Sequence, residues 1–230
     1  MEKKGKMNQN HITEQEMVDI LKDQIWQVSH GGVSSTYIRN KVLRLMHPDK
    51  FIVRNRENQP FGKVYGNGGR LVHYPFPVST GPKLCIYVFG DVLNSLISQL
   101  HRHPENAAFL HNDKGYIFAG YEALAKTEDA FGIRYQIESF HTIETDYPII
   151  LLNYSKLHYS HFIEISKRFE FVEIYDQYRK RPRNSRLESL SENQKRLLVK
   201  AYGDFSNEVE SYPAMRIRYP DIETSDVVIH

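Results

Sequence analysis

The chain has 230 residues, enough for one large domain with a substantial buried core. Apolar residues make up 40% and charged residues 25%, which excludes a disordered chain. A formal net charge of +2 does not suggest a protein built on non-specific attraction to nucleic acid, and a lone cysteine, Cys85, excludes an intramolecular disulfide and favours a reducing compartment. No stretch approaches the roughly 18 apolar residues of a membrane helix. The lysine-rich start has no apolar segment of the secretory type, so a cytoplasmic location is expected.

Residues 1–12 read as a flexible leader and 13–230 as a single domain. Thr13-x-x-Glu16 is a capping box that opens a helix with Met17, Ile20 and Leu21 at helical spacing. Ile25 to Val28 reads as a short strand, followed by a glycine turn. Tyr37, Ile38, Val42, Leu43 and Leu45 then have helical periodicity, ended by His47-Pro48. Residues 54–69, rich in Asn, Gly and Arg, read as a surface excursion, and Leu71 to His73 as a strand. Leu84 to Phe89 is a continuous apolar run of the kind buried on both faces of a parallel sheet, with Cys85 inside it. Asp91 is placed to cap the helix Val92 to Leu100. Tyr121 to Ala130 suits a helix, and Ile133 to Phe140 suits either a helix or a strand. Pro148 to Leu152 is another buried strand, His158 to Phe169 a helix, Arg179 to Arg186 a basic loop, and Ser191 to Tyr212 an amphipathic helix. Strand, turn and helix thus recur at residues 25, 84 and 149. The expected fold is a three-layer α/β/α domain with a mainly parallel central sheet.

The first of these units, Ile25 to Ile38, has the makings of an anion cradle. Gly31 and Gly32 let the backbone turn tightly and approach a ligand. The helix start offers N–H groups, and Ser34, Ser35 and Thr36 add hydroxyls. The same residues also suit an ordinary glycine turn with a hydroxyl N-cap. No Gly-Lys-Ser/Thr follows the loop, which sets it apart from the Walker A motif of common NTPases and kinases.

Further segments resemble the sulfotransferases that use 3′-phosphoadenosine 5′-phosphosulfate (PAPS), through several short motifs in the right order over residues 24–190. Gly32-Val33-Ser34-Ser35-Thr36 resembles the family's loop for the 5′-phosphosulfate. Arg70-Leu71-Val72-His73-Tyr74-Pro75 resembles its His-x-Pro segment. Ile86 to Ser95 is similar to the strand and helix that bind the 3′-phosphate, and Ile149 to Leu157 to a later strand and helix. The resemblance implies PAPS as donor, no metal, and a hydroxyl acceptor on a small molecule, lipid or saccharide. It implies His73 as general base, Ser95 at the 3′-phosphate, and Arg181, Arg183 and Arg186 in a basic loop over the donor. Gly32 stands where the family has a cationic loop residue, with His30 two positions away as a substitute. Gly90 stands where it has an arginine, a charge for which Arg102 or the 179–186 loop could substitute. These departures leave room for a non-catalytic nucleotide- or anion-binding module, or an atypical phosphotransferase.

A histidine suits base catalysis because its pKa lies near neutrality. The other histidines are read differently. His101, His103 and His111 lack metal-ligand spacing, and His158 and His161 read as a solvated helix face.

Overall fold

The computed structural model describes residues 25–30, 32–38, 83–102, 120–126, 128–169, 179, 186–220 and 226–230. Within them the chain forms five strands: β1 (Ile25–Ser29), β2 (Leu84–Phe89), β3 (Ile149–Asn153), β4 (Met215–Arg218) and β5 (Val227–Ile229). They join one sheet in the order β1-β2-β3-β4-β5. β1, β2 and β3 are parallel, with Gln27 opposite Ile86 and Tyr87 opposite Leu151. β2 and β3 are buried at every position, as their unbroken apolar runs require.

The fold is α/β, and among the described residues the sheet is mixed: β4 runs antiparallel to β3, and β5 antiparallel to β4. The cause lies in the preceding helix. Helix α6 (Glu192–Ser211) ends beside the carboxyl end of β3, where the Asn153 side-chain amide donates to the carbonyls of Val209 and Tyr212 at 3.0 and 3.4 Å. The Asn153 N–H also donates to Ala214 O at 2.9 Å. A chain re-entering the sheet at that point can only run back along β3.

The described helices are α1 (Ser35–Ile38), α2 (Val92–Arg102), α3 (Gly120–Lys126), α4 (Ile133–Thr142), α5 (Tyr159–Arg168) and α6 (Glu192–Ser211). They cover both faces of the sheet. On the first face Cys85, Tyr87, Phe89, Ile149 and Leu151 meet α2, α4 and α6 through residues such as Leu96, Phe140 and Phe205. On the second, Ile86, Val88, Ile150, Leu152 and Ile217 meet Val33 and Ile38 beside α1 and Phe162 and Ile165 of α5.

Residues 133–140, ambiguous in sequence, are helical. The helix expected over 121–130 ends at Lys126, and a turn with Asp129 and Gly132 at φ 44° and 61° separates it from α4. The Asp129 carboxylate accepts the Arg134 and Tyr135 N–H groups and the Tyr202 hydroxyl, which caps α4. The leader, the capping-box helix at Thr13, the periodic run at 42–45, the 54–69 segment and the strand at 71–73 lie outside the described residues.

Candidate functional site

In an open α/β sheet, ligands bind at the carboxyl ends of the strands, where the helices that follow neighbouring strands leave to opposite faces. That condition is met between β1 and β2. After β1 the chain passes into the second-face core through Val33 and Ile38, and after β2 helix α2 packs on the first face.

The β1 loop is held tightly at this point. Gly32, at φ 68°, lies flush against the backbone of Ser95 on α2: a Cβ on Gly32 would fall 2.8 Å from the Ser95 Cα and closer still to its carbonyl oxygen. The position therefore requires glycine twice over, for its left-handed backbone and for its lack of volume. His30 is fully buried beneath the loop. Its carbonyl accepts the Gln99 side-chain amide at 3.0 Å, and its Nδ1 lies 3.4 Å from the Ser95 hydroxyl. Ser34 also takes a left-handed conformation, φ 54°, an uncommon state for a residue with a side chain. Its hydroxyl donates to the Tyr154 hydroxyl, 3.1 Å away on the turn after β3. The Ile38 N–H donates to Ser34 O at 3.0 Å, so Ser34 is the residue from which α1 starts.

The second turn, after β2, repeats part of this design. Gly90, at φ 105°, leaves no room for a Cβ against the Asn153 side-chain oxygen, and the Tyr154 N–H donates to Phe89 O at 2.7 Å. Asp91 does stand at the head of α2. Its carbonyl accepts the Ser95 N–H, while its carboxylate accepts the Asn94 side-chain amide.

The residues expected from sequence fall into three groups. Gly32 and Ser34 form the loop, and Ser35 and Thr36 occupy the first positions of α1. Val33 is a core residue, fully buried in the second-face cluster, so its side chain serves packing and only its backbone faces the loop question. Ser95 and His30 lie together under the loop. The Ser95 hydroxyl is donated to its own helix, to Val92 O at 2.7 Å. Gly31, His73, Arg181 and Arg183 lie outside the described residues.

Of the basic segment, Arg186 is exposed and precedes a short 3-10 turn, and the Arg179 N–H donates to the Tyr37 hydroxyl on α1 at 3.1 Å. The segment therefore starts beside the loop helix. Arg102 is exposed on the last turn of α2, where its guanidinium donates to the Ser98 carbonyl and hydroxyl.

Sequence reasoning missed Tyr154, Gln99 and Asn153. Each is a polar residue embedded in or just after an apolar element, a signal that marks a buried hydrogen-bonding role. The histidine pair His158 and His161 is not a solvated face. His161 is buried, the His158 N–H donates to its Nδ1 at 2.9 Å, and burial lowers the His161 pKa; the pair caps α5. No group of three or more metal-ligating side chains occurs among the described residues.

A separate cleft of about 590 Å³ opens on the first-face helical layer, lined by Leu124, Glu128, Lys200, Asp204 and Phe205 among others, and includes no residue of the β1 loop. Tested against family models, curated proteins and solved structures, the chain matches none of them.

Proposed function

We propose that the protein binds PAPS at the β1 loop and transfers its sulfuryl group to a hydroxyl of a small-molecule, lipid or carbohydrate acceptor. One observation carries this reading: Gly32 and Ser95 are in backbone contact. These residues lie in the two segments that resemble the 5′-phosphosulfate and 3′-phosphate sites, and 63 residues of chain separate them. Their junction lies where α/β sheets bind nucleotides. The bond from Arg179 to Tyr37 supports a basic segment that begins beside the same helix.

The chemistry asks little of the protein beyond position and charge. The S–O bond to the donor phosphate breaks as a new bond forms from the acceptor oxygen to sulfur. The acceptor proton passes to a base, for which His73 is the residue proposed. Negative charge builds on the departing phosphate, and backbone N–H groups at the start of α1 would stabilise it. 3′-Phosphoadenosine 5′-phosphate leaves.

A second reading, a binding module without transfer, draws on the same site. The Ser95 hydroxyl is already donated to Val92 O, and His30 is enclosed beneath the loop, so neither stands open to a ligand.

Calorimetric titration with 3′-phosphoadenosine 5′-phosphate, with ATP and ADP as controls, tests both. The expected result is micromolar binding that disappears in Ser35→Ala and is not reproduced by ATP. Sulfate transfer to an acceptor panel, abolished in His73→Ala, then separates enzyme from module. Absence of binding at millimolar nucleotide, a free energy weaker than about −4 kcal/mol, removes the PAPS reading and leaves a module for another anion.

A further inference from the structure

We infer that Tyr154 is the positioning residue of the β1 loop: its hydroxyl holds Ser34 in the left-handed conformation from which α1, and with it the loop's anion-facing backbone, takes its direction. The loop-holding role stands on geometry alone; its consequence for ligand affinity rests on the nucleotide reading above.

Tyr154 is suited to the task because it cannot move. Its ring is buried to 1% exposure in the second-face core. Its N–H is bonded to Phe89 O at the end of β2. The residues on either side are tied to the end of α6. Asn153 donates to Val209 O and Tyr212 O, the Ser155 hydroxyl donates to the Glu210 carboxylate at 2.7 Å, and the Lys156 ammonium donates to Tyr212 O at 2.8 Å. The backbone of Tyr154 is thus fixed at the meeting point of β2, β3 and α6, and its buried ring carries the hydroxyl from there to Ser34.

Ser34 is the opposite case, half-buried and in a backbone state that a non-glycine residue keeps only when its surroundings impose it. Among its described contacts, the bond to Tyr154, made across 120 residues of sequence, ties its side chain to another element. Without it Ser34 is free to relax toward ordinary backbone angles. The Ile38 N–H bond to Ser34 O, the first bond of α1, would relax with it. A ligand recognised by backbone N–H groups would meet a loop that is no longer preorganised.

The test uses the full chain as wild type, Tyr154→Phe, Ser34→Gly and the double variant. Phenylalanine keeps the buried ring and removes only the hydroxyl. Glycine adopts the left-handed conformation without a side chain. Amide hydrogen exchange over residues 32–38 needs no ligand. It should accelerate at least tenfold in Tyr154→Phe and in Ser34→Gly, no further in the double variant, while exchange in β2 and β3 stays as in wild type. Binding of 3′-phosphoadenosine 5′-phosphate should weaken about tenfold in Tyr154→Phe with the same lack of additivity. Unchanged loop exchange in both single variants overturns the inference whether or not the nucleotide binds. Faster exchange with unchanged nucleotide affinity overturns the positioning role. Faster exchange in a protein that binds no nucleotide upholds the loop-holding role and overturns the nucleotide reading instead.

Discussion

Around the β1 loop, buried and half-buried polar groups join distant segments, His30 to Ser95 and Gln99 and Ser34 to Tyr154, and Gly32 packs on the Ser95 backbone. In the layer of α4 and α6 on the first face, most buried side chains are apolar, among them Ile137, Phe140, Leu198, Phe205 and Val209, beside Gln136 and Ser139 of α4, and other polar groups complete caps: Asp129 for α4, and Ser191 with Gln194 for α6. Tyr202 bridges the two kinds of group, its ring in the core and its hydroxyl accepting the Phe131 N–H and donating to Asp129. Left-handed backbone occurs in both regions: at Gly32 and Ser34 in the loop, packed on or bonded to distant segments, and at Asp129 and Gly132 in the turn where the Asp129 carboxylate caps α4. The contrast predicts that stability resides in the helical layer and binding geometry in the loop, so substitutions should separate the two properties.

The largest stability effect is expected in the helical layer. Phe205 is 1% exposed, and the Arg134 guanidinium lies 4.6 Å from the centre of its ring. Phe205→Ala removes the ring from the core and should cost about 3–5 kcal/mol, read as a lower urea midpoint. Loop exchange over residues 32–38 should change only through global unfolding. A loss below about 1 kcal/mol would mean that the layer does not carry the fold.

Next comes a pH effect in the same layer. His141, on the last turn of α4, lies with its ring 4.9 Å from the rings of Phe89 and Tyr212. Burial pushes its pKa down to about 4, against the opposing bond to Ile137 O, with Arg216 and Arg218 lowering it further. The folded state thus favours the neutral ring. Its contribution is complete above about pH 6.5, where the unfolded chain is also neutral, and is lost as the pH falls through the folded pKa near 4. The loss should reach on the order of 2–3 kcal/mol. His141→Phe keeps a ring in the cluster and removes the titration. The difference between wild type and variant in thermal midpoint should therefore change steadily between pH 6.5 and 4. A constant difference across that window would show that His141 is accessible to solvent protons in the folded state.

Gly32→Ala reverses the balance between the two regions. The new methyl meets the Ser95 backbone, and alanine resists φ 68°. Stability should fall by about 1–3 kcal/mol, less than for Phe205→Ala, and the nucleotide binding proposed for the loop should be lost. Calorimetry on a sample whose far-UV spectrum matches wild type checks this. Retained affinity would show that the loop backbone does not contact the ligand.

These differences also explain what the sequence revealed. β2, β3, α2, α5 and α6 were legible because each is a strong periodic or continuous apolar pattern ended by glycine, proline or a cap. Residues 133–140 were ambiguous because Ile133, Tyr135 and Ile137 alternate with Arg134, Gln136 and Glu138 as in a strand, while Ile133, Ile137 and Phe140 have helical spacing, until Gly132 and Asp129 are known to open a helix. β4 was overlooked, although Met215-Arg216-Ile217-Arg218 alternates between buried apolar and half-buried charged positions, the period of a strand. Its place in the sheet depends on where α6 ends, and that is set by the long-range bonds of Asn153. In the site, glycine and hydroxyl residues marked the loop. The contacts that hold it, Ser34 with Tyr154 and Gly32 with Ser95, join segments 120 and 63 residues apart, and local pattern carries no information at that distance.

The smallest effect is expected on the other face, on a surface ion pair. Glu164 and Arg168, one turn apart on α5, have Oε1 and Nε 2.6 Å apart, and both side chains are about a third exposed. Water and salt screen such a pair, and holding two long side chains costs conformational freedom, so Glu164→Gln should lower stability by only about 0.3–0.5 kcal/mol. In 1 M salt the difference should vanish. A loss above 1 kcal/mol that survives salt would mean that α5 is marginal on its own sheet face and is held by its surface. In that case stability would not be concentrated in the α4–α6 layer, because the second-face core would depend on a helix that a single exposed charge can loosen. The stability changes measured for Gly32→Ala would then have to be read as disturbance of that core through Val33, rather than as strain confined to the loop.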